Sequence, residues 1–185
     1  MTTENLFDIW AKGNPKWEIH FEEIISQFAD YSKGTTDTTS ARGKVLGAGY
    51  EFYIYAFFVG LYANKKRELK GDTKGFGHLI QYWGNIETRK LRKGYPRLRE
   101  YIFTALIAKT DLDLIALEKG EINERQAVNL LMNSMEQYAN YGFHVIEEKI
   151  KDNPDYFYRN TGFLDMILGL LVPPSNNSEI EIEEL

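Results

Sequence analysis

The chain has 185 residues, 43% hydrophobic and 26% charged, with a formal net charge of −5, a size that suits one domain with a core of its own. It contains no cysteine, which excludes disulfides, thiolate metal sites and thiol nucleophiles. The opening MTTENLFDIWAKG has neither the basic nor the apolar region of a signal peptide, so a cytoplasmic protein is expected.

A short amphipathic segment, 5–11, comes first and is ended by Gly13, Asn14 and Pro15. In WEIHFEEIISQFADY the spacing of Trp17, Phe21, Ile24, Ile25, Phe28 and Tyr31 predicts a helix. SKGTTDTTSARGK follows, rich in Gly, Ser and Thr, and reads as a flexible loop. It lacks the residue order of a phosphate-binding P-loop. Next, thirteen residues without a charge lie between Glu51 and Lys65. That is too short for the ~20 residues of a membrane-spanning helix and long for a strand. Phe52, Tyr55, Ala56, Val59, Tyr62 and Ala63 keep three-four spacing, and Tyr53 and Phe57 widen the apolar surface. The stretch 45–69 therefore reads as a core helix.

KGDTKG breaks the chain, FGHLIQYWGNI predicts a short helix, and RKLRKGYP is a basic connector. In PRLREYIFTALIAKT, Leu98, Tyr101, Ile102, Ala105 and Leu106 share one helical face. The clearest helix is NERQAVNLLMNSMEQYANYGFHVIEEKI. Asn123 caps it, and Gln126 stands where a capping box requires. Val128, Leu131, Met132, Met135, Tyr138, Ala139, Phe143, Ile146 and Ile150 form its apolar face. Gly142 inside it costs about 1 kcal/mol relative to Ala, which close packing against another helix would offset. A last helix is expected over 154–171, followed by the acidic PPSNNSEIEIEEL. The expected fold is all-α: one helical domain, 1–172, and a disordered acidic tail, 173–185.

Charge is distributed in blocks. Residues 65–99 hold eleven Lys/Arg against three Asp/Glu, a net of +8, whereas residues 100–185 carry −10. The basic block consists of Lys65, Lys66, Arg67, Lys70 and Lys74, then Arg89, Lys90, Arg92, Lys93, Arg97 and Arg99, with Phe76, His78, Tyr82 and Trp83 between them. Such a pattern suits a nucleic-acid backbone, with cations on phosphates and exposed rings on bases. It equally suits neutralisation of the acidic half, with the aromatics in the core.

Catalytic chemistry is not apparent. His20, His78 and His144 lie on different elements without ligand spacing, so no metal site or cofactor is expected. Glu147 and Glu148 are adjacent on a helix and point to different sides, so they make no catalytic pair.

YIYAFFVGLYANKKREL resembles the Phe-Ala-Ala, Leu-Gly, then basic pattern of a small protein family associated with bacterial Dnd systems. FTALIAKTDLDLIALEKGE with MEQYANYGFHVIEEKI is similar to that family's C-terminal half, and the run Glu136, Tyr138, Ala139, Asn140, Gly142 is the most specific part. FGHLIQYWGNIETRKLRKGYP and the chain after Asn153 have no counterpart there. Dnd systems install phosphorothioates in DNA and restrict unmodified DNA; the family has no settled activity, so the resemblance implies a setting in phage defence and supplies no catalytic residues to carry over. Three functions follow as expectations. The first is a non-catalytic accessory factor of such a restriction-modification system, touching DNA through the basic block. The second is an adaptor without nucleic-acid contact, docking on a larger nuclease or ATPase subunit through its acidic C-terminal half or the helical face around Tyr138 and Phe143. The third, ranked last, is an enzyme assembled from distant residues. The opposed charge blocks would also permit homo-oligomers.

Overall fold

A computed structural model describes residues 4–29, 46–84, 94–95 and 97–171. The expected loop over 32–44, most of the basic connector and the tail 173–185 lie outside the described residues.

The fold is mostly helical, built around two helices. Helix α3, Gly49–Ala63, buries residues on all sides, among them Tyr50, Phe52, Tyr53, Ala56, Phe57, Val59 and Leu61. Beyond Glu51 in its first turn the helix carries no charged residue, so it is stable only when largely enclosed. Its principal neighbour is α6, Glu124–Asp152. Asn123 and Gln126 make the expected capping box, the Asn123 side chain accepting from the Gln126 N–H at 2.9 Å and the Gln126 side chain accepting from the Asn123 N–H at 2.8 Å. A Cβ at Gly142 would overlap the Ala56 carbonyl oxygen, and one at Gly60 would overlap the Tyr138 carbonyl oxygen. The pairs 56 with 142 and 60 with 138 show that α3 and α6 run antiparallel, backbone against backbone. This close approach is what the helical Gly142 provides.

Helices α1 (Leu6–Ala11), α2 (Glu22–Phe28), α4 (Leu98–Lys109) and α7 (Gly162–Leu171) pack around this pair, and α5 (Leu114–Glu118) follows α4. Aromatic rings fill the interior: Phe21 stacks on Phe143 with centroids 4.9 Å apart, Phe28 on Phe52 at 5.6 Å, and Tyr50 on Trp83 at 5.4 Å. No helix among the described residues is long and apolar enough to cross a membrane.

Several expectations are corrected. The fold is not purely helical. Lys16–Glu18 forms strand β1 and pairs antiparallel with β2, Thr73–Gly75, Trp17 lying opposite Lys74. The expected helix beginning at Trp17 therefore starts only after a 3-10 turn, Ile19–Phe21. Trp17, Phe21, Ile25 and Phe28 are all buried as their spacing implies, but a distant strand decides the backbone of the first of them. Asn14 extends the ribbon with its side chain, Nδ2 donating to the Phe76 carbonyl at 2.8 Å and Oδ1 accepting from the Phe76 N–H at 3.0 Å.

Helix α3 stops at Ala63 because Asn64 adopts the left-handed conformation (φ 51°), a helix stop that Asn tolerates. The described part of FGHLIQYWGNI, residues 76–84, forms only a 3-10 turn, Ile80–Tyr82, and Tyr101 is 62% exposed rather than on the buried face of α4. The expected last helix is divided into a 3-10 turn, Tyr156–Tyr158, and α7. Phe157 must turn into the core, and Gly162 lies so close to the Tyr156 carbonyl that no Cβ fits. Helix α5 is an addition to the expected elements. Its signals are the Asp113 cap, which accepts from the Ile115 and Ala116 N–H groups, and Gly120 at φ 74°.

Candidate functional site

After Asn64 the chain neither continues as a helix nor leaves the surface. Residues 65–70 form a strap without regular secondary structure that is tied to α6. The Arg67 N–H donates to the Gln137 carbonyl at 3.1 Å. Asn140 Nδ2 donates to the carbonyls of Arg67 (3.4 Å) and Glu68 (3.0 Å), and the Lys70 N–H donates to Glu18 Oε1 at 2.6 Å. The strap's backbone is thus occupied by the protein, while Lys65, Lys66, Arg67 and Lys70 are exposed. Among the described residues none of these four pairs with a carboxylate. The Lys66 ammonium lies 3.2 Å from Ser134 Oγ and 4.9 Å from the Tyr138 ring centroid, and the Lys65 ammonium lies 5.8 Å from that of Tyr141.

The rest of the basic block divides. Lys74 is committed to Glu22 at 2.6 Å and sits over Trp17. Arg99 is half-buried and donates from Nη1 to the Gln81 carbonyl at 2.7 Å, whereas Arg97 is exposed. Arg89, Lys90, Arg92 and Lys93 lie outside the described residues. Phe76 and Trp83 are buried, 7% and 1% exposed, which removes them as stacking platforms for bases; Tyr82 is 53% exposed. Tyr138 and Phe143 are likewise core residues, 4% and 1% exposed, so the docking face expected around them faces the interior of this chain.

The run Glu136, Tyr138, Ala139, Asn140, Gly142 has a structural account. Glu136 Oε1 accepts from the Lys16 N–H at 2.8 Å, and the Tyr138 hydroxyl donates to the Lys109 carbonyl at 3.3 Å. Ala139 is fully buried, Asn140 fastens the strap, and Gly142 admits α3. Each residue holds a neighbouring segment in place.

No protein-family model, curated protein or solved structure matches the chain.

Next to the strap lies a cluster that sequence spacing does not reveal. Glu18 ends β1, His20 sits in the following 3-10 turn, and His144 comes from α6, one turn beyond Asn140. One ligand-capable atom from each lies within 4.8 Å of the others. Glu18 is only 4% exposed, and burial of a carboxylate requires donors. Its Oε1 takes Asn140 Nδ2 at 2.9 Å and the Lys70 N–H, while Oε2 lies 3.2 Å from His20 Nδ1. The two imidazole rings are 5.7 Å apart. Desolvation and the Arg67 charge lower the pKa of His144 below its usual 6.5, against opposing pulls from Glu18 and Glu147. The hints in sequence are slight: Glu18 stands two residues before His20, and Asn140 four before His144.

Elsewhere, a cavity of about 210 Å³ is lined by Leu46, Tyr50, Glu51, Ile54, Gly84, Tyr95 and Leu98. It is mainly apolar, and the Glu51 carboxylate there accepts from the Gly47 N–H at 2.7 Å.

Glu136 carries a pH signature. Burial raises its pKa above the usual 4.5, only partly offset by the hydrogen bond from Lys16. The folded state therefore holds this proton more tightly than the unfolded chain, and stability falls as pH rises from 4.5 through the raised value. Glu136→Gln is expected to remove that loss. Urea titrations should show the variant gaining on wild type as the pH climbs from 4.5; a pH-independent difference would refute the assignment.

Proposed function

We propose that the protein is a non-catalytic accessory factor of a bacterial DNA modification and restriction system of the phosphorothioation type, and that it contacts the DNA backbone through the strap. The resemblance described above supports the setting. The observation that carries the contact is the strap itself: its peptide groups are bound to α6 and Glu18, while its four cationic residues are exposed and have no carboxylate partner among the described residues. Such a surface reads phosphates and not bases, because affinity comes from counterion release and the buried Phe76 and Trp83 offer no stacking. On this reading the protein is one helical domain that brings DNA to a larger nuclease or ATPase subunit. The adaptor reading without nucleic acid would have to use the acidic C-terminal half, since the Tyr138 and Phe143 side chains are buried.

The test is fluorescence anisotropy with a duplex of arbitrary sequence, beginning at about 50 mM salt. Wild type should bind with a log–log salt slope of roughly −3, as expected for three to four phosphates neutralised. The triple variant K65A/K66A/R67A should lose at least tenfold in affinity with an unchanged melting temperature. Failure of the wild-type chain to associate at low salt would end the DNA reading.

A further inference from the structure

We propose that Glu18, His20 and His144 bind one divalent transition-metal ion, Zn2+ by the chemistry of the donors. Two imidazole nitrogens and one carboxylate oxygen, with no thiolate in the chain, suit a borderline ion better than Ca2+ or Mg2+, which take oxygen donors. The same donor set serves zinc sites that keep a position open to water or an external ligand.

Three features distinguish the cluster from a chance meeting of polar side chains. First, it is assembled across the fold, from the β1 corner and from α6, which the ribbon and the strap hold together. Second, the carboxylate is oriented from behind. Both donors to Glu18 address Oε1, Asn140 Nδ2 at 2.9 Å and the Lys70 N–H at 2.6 Å, and this leaves Oε2 turned toward His20. Outer hydrogen bonds of this kind fix the ligands that touch the ion in metal centres. Third, the spacing is close to that required. Donors around a tetrahedral Zn2+ at bond lengths of about 2.0–2.1 Å stand about 3.4 Å apart. The separation of Glu18 Oε2 from His20 Nδ1 is 3.2 Å, and the largest separation in the cluster, up to 4.8 Å, closes by side-chain rotation of the partly exposed histidines.

The surrounding charges work in both directions. Arg67 acts on His144 and opposes a cation, while Glu147, also felt at His144, favours one and is itself paired with Lys151 at 3.0 Å. The buried Glu18 carboxylate supplies the compensating negative charge within the cluster.

The experiment is isothermal titration of the untagged, chelator-treated full chain with Zn2+, repeated with Co2+ to read the visible ligand-field bands. One ion per chain is expected, with Co2+ bands characteristic of four or five coordination. His20→Ala and His144→Ala should each weaken Zn2+ binding at least tenfold and abolish the Co2+ bands. Both alter partly exposed side chains, so circular dichroism should confirm an unchanged fold. Glu18→Gln keeps an acceptor for Asn140 and Lys70 and should weaken binding about a hundredfold. His78→Ala, at the remaining histidine, should change nothing. Absence of stoichiometric binding in wild type would overturn the site, as would binding that survives both His20→Ala and His144→Ala.

Discussion

Gly142→Ala should unfold most of the protein at room temperature or leave it barely stable. In an isolated helix the change would be favourable by about 1 kcal/mol. Here the added methyl would occupy the position of the Ala56 carbonyl oxygen, and neither side can yield locally. A flexible side chain could rotate away, but a helix backbone can only retreat as a unit. Retreat of α3 would open the packing of Phe52, Tyr53 and Phe143, all fully or almost fully buried. Overpacking of an ordinary core site costs about 1–3 kcal/mol. A backbone overlap between the two central helices should exceed that range and cost about 4 kcal/mol, close to the whole stability of a modest domain. Gly60→Ala should behave in the same way, because its methyl would meet the Tyr138 carbonyl. Gly169 is the internal control: it lies in α7, and a methyl added there would meet nothing within 4 Å, so Gly169→Ala should be neutral or slightly stabilising. Guanidinium titrations of the three variants would suffice. Equal midpoints for Gly142→Ala and Gly169→Ala would refute the close approach of α3 and α6.

The second large effect is expected at Asn140. Its side-chain nitrogen serves Glu18 Oε1 and the carbonyls of Arg67 and Glu68, and the residue is 2% exposed. Asn140→Ala would leave a buried carboxylate short of one donor and release the strap from α6. Hydrogen bonds to charged groups contribute about 1.5–3 kcal/mol and those between neutral groups about 1 kcal/mol, so a total loss of about 3 kcal/mol is expected. The same substitution should speed amide hydrogen exchange at Lys70 and Arg67 more than at residues of α3. On the DNA reading it should also weaken binding although no charge is removed. A variant with wild-type exchange at both amides would show that the strap is held by other means.

What can be read in the sequence is local. Asn123 and Gln126 announce the start of α6 because a capping box lies within one turn. The interior position of α3 follows from its composition, since a helix apolar nearly all round belongs at the centre of its domain. The depth of Gly142 is legible for a related reason: a helical glycine must be compensated by something close. Sequence reasoning fails where a partner lies far along the chain. Trp17 satisfies helical spacing, but its backbone answers to Lys74 across the ribbon, fifty-seven residues away. Tyr138 and Phe143 suggest a docking face only because periodicity marks a buried face without saying what covers it. His20 and His144 are separated by more than a hundred residues, so no ligand spacing can connect them. The strap has one local sign, an asparagine ahead of the basic run, but its path along α6 depends on Asn140 and Glu18.

The way Asn140 and Glu18 fasten residues 65–70 bears on how such a surface would meet a charged partner. Lysine-rich segments in solution must give up about 1–2 kcal/mol of backbone freedom per residue when they settle on a ligand. Here that loss has already been absorbed during folding. The ammonium and guanidinium groups are mounted on a prearranged frame, so on the DNA reading binding would require only the freezing of side-chain torsions, and the duplex would meet a template in place of a tether.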